Sequence, residues 1–224
     1  MKIDSKNRSL VNIVGAPLIV FSIMYNHYSF YTLIFCITIF SFYEYINLVK
    51  SKSHLTFLKL LLGFLWISSI GLFIPLYQSI LIPKEFILII FSSVWITDSA
   101  AYVMGKKFGK KKIFPSVSAN KTWVGSISGL VFSILFLLVI YLNFGKVYWP
   151  QYNFQLINVL FIGFITGLFS QFGDFLESYF KRSLDVKDSS NLLLGHGGFL
   201  DRFDSMYAVS FATYFYLLLT GYYG

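Results

Sequence analysis

Long apolar stretches separated by short polar segments make up most of the 224-residue chain. A helix that crosses a bilayer needs about 20 mostly apolar residues. The pattern therefore predicts an all-α, polytopic integral membrane protein with about seven transmembrane helices, folded as one transmembrane domain over residues 1–224. The predicted spans are residues 10–25, 30–48, 55–76, 83–104, 122–142, 154–180 and 203–219.

The first two spans carry residues that are unusual in apolar helices. Pro17 lies near the middle of the first, where neighbouring helices can satisfy the carbonyl group that proline leaves unpaired. Glu44 lies near the end of the second. The segment Met1–Arg8 leads into the first span without a small-residue cleavage pattern, so we expect no cleavable signal peptide.

Composition supports the membrane assignment. Hydrophobic residues make up 56% of the chain and charged residues only 12%, whereas a soluble domain carries roughly 25% charged residues. The lone Cys36 lies inside an apolar run, which excludes a disulfide framework and predicts a small buried side chain.

The basic residues predict the orientation of the chain. With the amino terminus inside, the inner segments hold 16 of the 18 Lys and Arg residues, and the outer segments keep only Lys84 and Lys146. Basic loops favour the cytoplasmic side. We therefore predict a cytoplasmic amino terminus, a cytoplasmic active site and a bacterial-type inner (cell) membrane. Basic loops on that side would also meet anionic headgroups, which alone could explain the net charge of +8.

Three carboxylates lie inside or at the end of apolar spans: Asp98, Asp174 and Glu177. A carboxylate in a membrane helix is costly and marks a candidate functional site, unless the helix end simply reaches interfacial water. Asp174 and Glu177 are three positions apart and share a helix face. Small residues beside Asp98, such as Gly105, would let a neighbouring helix or a ligand come close.

A polar stretch, residues 114–125, follows the fourth span. We expect Ser118 to cap a helix that begins near Asn120, with Lys121 and Thr122 in its first turn. A helix amino terminus with a lysine and a hydroxyl group is a plausible anion site, although many ordinary helices begin this way.

The most polar part of the chain is residues 178–204. Cations and carboxylates alternate there around the glycine turn Gly195-His196-Gly197-Gly198. Phosphate groups need positive charge and closely approaching backbone N–H groups, and a divalent metal needs carboxylates. The segment therefore predicts a phosphate-handling site, the alternative being a solvated loop whose charges only keep it in water.

Three motifs carry a resemblance to a known family. They are Ser178-x-x-Lys181-Arg182-x-x-x-x-Lys187-Asp188 followed by Gly195-His196-Gly197-Gly198-x-x-Asp201-Arg202-x-Asp204, then Asp98-x-x-Ala101-Tyr102-x-x-Gly105, and Ser118-x-x-Lys121-Thr122-x-x-Gly125. Together they resemble the phosphatidate cytidylyltransferases, or CDP-diacylglycerol synthases.

The resemblance is strong over residues 95–210, the expected catalytic part. Residues 1–90 resemble the family only in their general apolar character. Two positions depart from the family pattern, because Ala119 and Val124 stand where a proline and a glutamate are usual. No role can therefore be carried over to a carboxylate at position 124. The chain is also shorter than typical bacterial members, and we expect it to lack some amino-terminal spans.

The resemblance implies that CTP and phosphatidic acid react to give CDP-diacylglycerol and pyrophosphate. It implies Mg²⁺, with room for a second cation, held by Asp174 and Asp201, with Asp98, Asp188 and Asp204 as further candidates. Cationic side chains would bind the triphosphate and the lipid headgroup: Lys121, Lys181, Arg182, Lys187 and Arg202. His196 would donate a hydrogen bond to phosphate, and the glycines from Gly195 to Gly198 would shape the turn. Further substrate-binding candidates are Tyr102, Ser118, Thr122 and Ser178.

The resemblance also implies a homodimer in the lipid bilayer and no nucleic-acid partner.

Two other functions stay open. Related CTP-using membrane enzymes, such as CDP-archaeol synthases and polyprenol or phytol kinases, would share this architecture. A transporter of a phosphorylated metabolite would also carry intramembrane carboxylates, but it would be expected to show internal repeats, and the sequence has none at a fixed spacing.

Overall fold

The computed structural model describes residues 5–52, 54, 56–145, 155–190, 192–193 and 197–222, with side chains from residue 14 onward. Helices account for most of these residues, which confirms the all-α prediction. The helices are α1 (Ser5–Tyr25), α2 (His27–Lys52), α3 (Phe57–Ser68), α4 (Phe73–Gln78), α5 (Glu85–Phe108), α6 (Trp123–Ile140), α7 (Leu156–Ser183) and α8 (Leu200–Leu219).

Five helical stretches of the described chain are long and apolar enough to cross a membrane. They coincide with the second to sixth predicted spans: His27–Lys52, Phe57–Gln78, Glu85–Phe108, Trp123–Gly145 and Leu156–Ser183. The first and last predicted spans are also helical, but the described apolar part of α1, Val14–Tyr25, is shorter, and α8 is not among the five. A polytopic protein is therefore confirmed, and the count of seven spans stays a prediction.

The third span is a broken helix. Between α3 and α4 the chain makes a 3₁₀ turn, Ser69–Leu72, and Pro75 follows in the first turn of α4. Proline has no N–H group to bond the carbonyl four residues earlier, here that of Gly71. The tighter turn lies where this hydrogen bond is missing, so the break has a local cause in the sequence.

Helix α8 is the most enclosed helix. Every residue from 204 to 210 is buried, and α8 packs against α7, α2, α3, α4, α5 and the 3₁₀ turn. Hydroxyl groups attach it to its neighbours: Tyr207 donates to Ser41 Oγ at 2.7 Å, and Ser210 donates to the Ser69 carbonyl at 2.8 Å. The protein, rather than lipid, therefore surrounds its polar amino-terminal half.

Helices α5, α6 and α7 pack together as the second half of the bundle. Three buried hydroxyl groups, one from each helix, lie within 3.0 Å of one another: Ser93, Ser133 and Thr166. Ser133 also lies 2.7 Å from the Gly163 carbonyl oxygen. This cluster fixes the register of the three helices that carry the site described next.

Candidate active site

A cavity of about 660 Å³ opens between α5, α6, α7 and the segment that precedes α6. Its walls include residues from each of the polar stretches that the sequence singled out before residue 178. The predicted site residues that line it are Asp98, Tyr102, Lys121, Thr122 and Asp174. Lys106, Lys112, Ser126 and Gln171, which sequence reasoning left out, line it as well.

The close approach of α5 and α6 forms one wall of this cavity. A Cβ atom on Gly125 would collide with the Ala101 carbonyl oxygen of α5, and one on Gly105 would lie 2.9 Å from Thr122 Oγ1. Only glycine fits where the two backbones are this close. The small residues near Asp98 therefore do serve close helix packing, as the sequence indicated.

The predicted cap of α6 is wrong. Thr122, not Ser118, is the N-cap: its backbone is extended and its Oγ1 accepts a hydrogen bond from the Gly125 N–H group at 3.2 Å. A short antiparallel pairing of Lys112 with Thr122 keeps the chain extended, so the helix begins only at Trp123. Ser118 lies in the preceding turn and is not among the residues that line the cavity.

Lys121 and Asp174 form an ion pair across the cavity wall, with 2.5 Å between Nζ and Oδ2. The Lys121 ammonium group also lies 4.1 Å from the centre of the Phe175 ring, a cation–π contact. Ser178 donates to Asp174 Oδ1 at 3.3 Å. The structure therefore brings the upstream polar stretch against α7, as a single site requires.

A second charged cluster lies where α7 ends and α8 begins. Lys181 lies between two carboxylates, 2.5 Å from Asp201 Oδ1 and 3.2 Å from Glu177 Oε1. Asp201 Oδ2 accepts hydrogen bonds from the Ser189 N–H and hydroxyl groups and from the Gly198 N–H group, all within 2.9 Å. Asp201 thus joins α7, the loop after it and the start of α8.

These contacts also set the charge of Asp201. Burial by itself would raise the pKa of this carboxyl group, but the Lys181 ammonium group and the Gly198 and Ser189 N–H groups hold the pKa below its usual value. Asp201 is therefore a carboxylate at neutral pH, and both of its oxygens are engaged by the protein.

Sequence reasoning gave Glu44 no role, although the structure places it at this cluster. Glu44 is 2% exposed and accepts hydrogen bonds from Ser190 Oγ, Phe199 N and Leu200 N, between 2.7 and 3.0 Å. The rule that drew attention to Asp98, a carboxylate within an apolar span, would have identified it. Its partners are far along the chain, so the sequence carried no sign of what it contacts.

The remaining predicted site residues lie around this second cluster. Arg182 Nη1 donates to the Val186 carbonyl at 2.7 Å, which closes the turn after α7. Asp204 is buried beside Glu177, and Arg202 is exposed in the first turn of α8. Lys187 and Asp188 are exposed in the loop. Gly195 and His196 lie outside the described residues.

The residues present fit a hard divalent cation. Asp98, Asp174 and Asp204 lie close enough to interact electrostatically, and the buried carboxyl group of Glu177 lies beside Asp204 and 3.2 Å from Lys181 Nζ. No group of three or more His, Cys, Asp or Glu residues is arranged to hold a metal in the part of the chain described. Mg²⁺ characteristically uses one or two carboxylates and completes its shell with water and substrate phosphates.

Comparisons with known proteins agree with the motifs. The profile of the Cytidylyltransferase family matches residues 57–220. A phosphatidate cytidylyltransferase of Staphylococcus saprophyticus is 39% identical over 158 residues, and so is one of Staphylococcus aureus (strain COL). The protein of that name from Staphylococcus haemolyticus is 37% identical over the same length. Each alignment covers 70% of this chain and 58% of the relative, so the chain spans little more than half of their length.

Proposed function

Because the chain belongs to the cytidylyltransferase family, we propose that it transfers CMP from CTP to phosphatidic acid, giving CDP-diacylglycerol and pyrophosphate. The observation that carries the proposal is the convergence of three family motifs on one end of the bundle. Asp98, Lys121 and Asp174 line one cavity, and Lys181 and Asp201 pair beside it. The relatives named phosphatidate cytidylyltransferase support the choice of substrates.

The reaction needs two anions to be brought together. An oxygen of the lipid phosphate attacks the α-phosphorus of CTP, a new P–O bond forms, and the bond to the bridging oxygen of pyrophosphate breaks. The attacking phosphate is already anionic near neutral pH, so no strong general base is required. The work of the site is positioning and charge neutralisation, for which Lys121, Lys181 and the basic loop residues provide the cations.

Magnesium is part of the proposal. Asp174 is the better placed of the two ligands proposed from the sequence, because it lines the cavity and is about one-third exposed, whereas Asp201 is nearly buried. Asp98, Asp204 and Glu177 are the neighbouring carboxylates. When bound, the cation would neutralise charge on the departing pyrophosphate.

We further propose that the protein lies in the cell membrane as a homodimer, with the site facing the cytoplasm. The excess of basic residues at the end of the bundle that holds the site supports this orientation. Cytoplasmic exposure would give the site access to CTP.

Pyrophosphate release by the purified protein in detergent tests the function. Release should require both CTP and phosphatidic acid, stop with EDTA and resume with excess Mg²⁺. If the protein instead converts CTP to CDP and phosphorylates an isoprenoid or phytyl alcohol, it is a lipid kinase. Full turnover after complete chelation would contradict the magnesium proposal, and no release with any phosphatidic acid would contradict the function.

A further inference from the structure

We propose that Glu44 of α2 is a positioning residue for the proposed reaction, because it fastens both ends of the loop formed by residues 189–200, the later part of the connection between α7 and α8, at the candidate active site. The inference rests on the proposed function only for its effect on turnover. Glu44 lies outside residues 57–220, the range matched by the family profile. The site would thus depend on a helix that the family motifs do not reach.

The contacts of Glu44 involve two separate parts of that loop. At its beginning, Ser190 Oγ donates to Glu44 Oε1 at 2.7 Å, and Ser189 Oγ lies 3.1 Å from Oε2. At its end, the N–H groups of Phe199 and Leu200 donate to Oε1 and Oε2 at 3.0 and 2.9 Å. One carboxylate therefore closes the base of the loop.

The fastened loop adjoins the groups expected to meet substrate. Lys187 and Asp188 directly precede Ser189, and Asp201 directly follows Leu200. The Ser189 hydroxyl group also lies 2.8 Å from Asp201 Oδ2, so it stands between two carboxylates and gives its single proton to one of them at a time. A shift of Glu44 would be transmitted through Ser189 to the Asp201–Lys181 pair.

The position requires a carboxylate. Phe199 and Leu200 present backbone N–H groups at the start of α8, where negative charge is favourable, and the site is buried. A glutamine would turn an NH₂ group toward donors on one side, leaving at least one buried N–H group unpaired. Gly198 packs so closely on this carboxylate that an added Cβ atom would collide with it.

The test combines hydrogen–deuterium exchange with turnover for Glu44→Gln in the full chain in detergent. Exchange in peptides covering residues 189–200 should become at least about 10-fold faster, because the Phe199 or the Leu200 amide loses its acceptor and the loop is held less firmly. Turnover with CTP and phosphatidic acid should fall at least about 10-fold. Ser190→Ala, which removes one donor to Glu44, should change both in the same direction by a smaller factor.

Ser41→Ala is the matched control. Ser41 lies one turn before Glu44 and accepts the buried hydrogen bond from Tyr207 of α8, but it makes no contact with the loop in the described structure. It should leave exchange at residues 189–200 and turnover within about two-fold of the parent protein. A general loosening of α2 against α8 would instead make Ser41→Ala resemble Glu44→Gln, which would overturn the proposal.

Unchanged exchange in Glu44→Gln would also overturn it. If Glu44→Gln does not fold, Ser190→Ala becomes the test, and unchanged exchange in Ser190→Ala would overturn the proposal. Exchange needs no substrate. A parent protein that is inactive with CTP and phosphatidic acid would therefore refute the proposed function, while exchange would still show whether Glu44 holds the loop.

Discussion

The carboxylates at the site lie in two environments that set different roles. Asp174 faces the cavity and is about one-third exposed, with Lys121 as its ion-pair partner. Asp201 is nearly buried and accepts hydrogen bonds from α7, from the loop and from Gly198. A ligand in the cavity can therefore reach Asp174, whereas Asp201 mainly holds the protein together.

Replacing Asp174 with Asn keeps the shape of the side chain but removes its charge. We expect turnover to fall at least about 100-fold, or about 2.7 kcal/mol in the activation free energy. Asp185→Asn is the control, because Asp185 is exposed and asparagine tolerates its positive φ of 55°. Steady-state kinetics should show the control within about two-fold of the parent. Equal losses in the two variants would refute a specific role for Asp174.

Residue types in the sequence identified much of the site, but not which residues contact one another there. The intramembrane positions of Asp98 and Asp174 and the motif around Lys121 pointed to residues that do line one cavity. The cap at Thr122 was missed because a pairing with Lys112, ten positions earlier, decides where α6 begins. Glu44 was passed over because its partners lie about 150 residues along the chain.

At the scale of helices, hydropathy predicted each long helical stretch but not the breaks within it. Each predicted span coincides with a helix, and the ends agree to within about five residues because polar loops bound the apolar runs. The 3₁₀ turn before Pro75 was not predicted. Hydropathy also predicted the span at 203–219 without showing what surrounds it, and the structure surrounds much of α8 with protein.

The hydroxyl cluster between α5, α6 and α7 should contribute to stability without contacting substrate. Ser133→Ala removes contacts with Ser93, Thr166 and the Gly163 carbonyl. Hydrogen bonds between membrane helices contribute on average about 0.6 kcal/mol and up to about 1.7. We therefore expect a lower thermal unfolding temperature in detergent and an unchanged apparent KM for CTP.

Ser68→Ala is the comparison for that variant, because Ser68 is only partly buried and its hydroxyl group donates to the Leu65 carbonyl of its own helix. It should leave the unfolding temperature as in the parent. Equal unfolding temperatures for Ser133→Ala and the parent would show that the cluster does not hold the three helices together.

At the scale of the whole molecule, the ends of α2, α5 and α7 meet the starts of α6 and α8 at one end of the bundle. The contacts Glu44–Leu200, Lys121–Asp174 and Lys181–Asp201 all lie there. Lys84 lies at the other end, where its ammonium group donates to the Met24 carbonyl. The helix order therefore separates the site from Lys84 by the length of α5, about 36 Å.

Thiol labelling in intact cells tests which end faces the cytoplasm. With Cys36 replaced, a cysteine at position 110 should be protected from a membrane-impermeant reagent, because the basic loop is predicted to lie inside. A cysteine at position 84 should be labelled. Labelling at 110 with protection at 84 would reverse the orientation and remove the site from cytoplasmic CTP.

The fate of labelled phosphorus from CTP distinguishes transfer of CMP from transfer of the terminal phosphate. Purified protein with phosphatidic acid and Mg²⁺ would receive CTP labelled at either the α- or the γ-phosphorus, and the lipid would then be extracted. We expect the α-label to enter the lipid and the γ-label to appear only in pyrophosphate, with both signals lost in Asp174→Asn. Entry of the γ-label into lipid, or of neither label, would contradict this expectation.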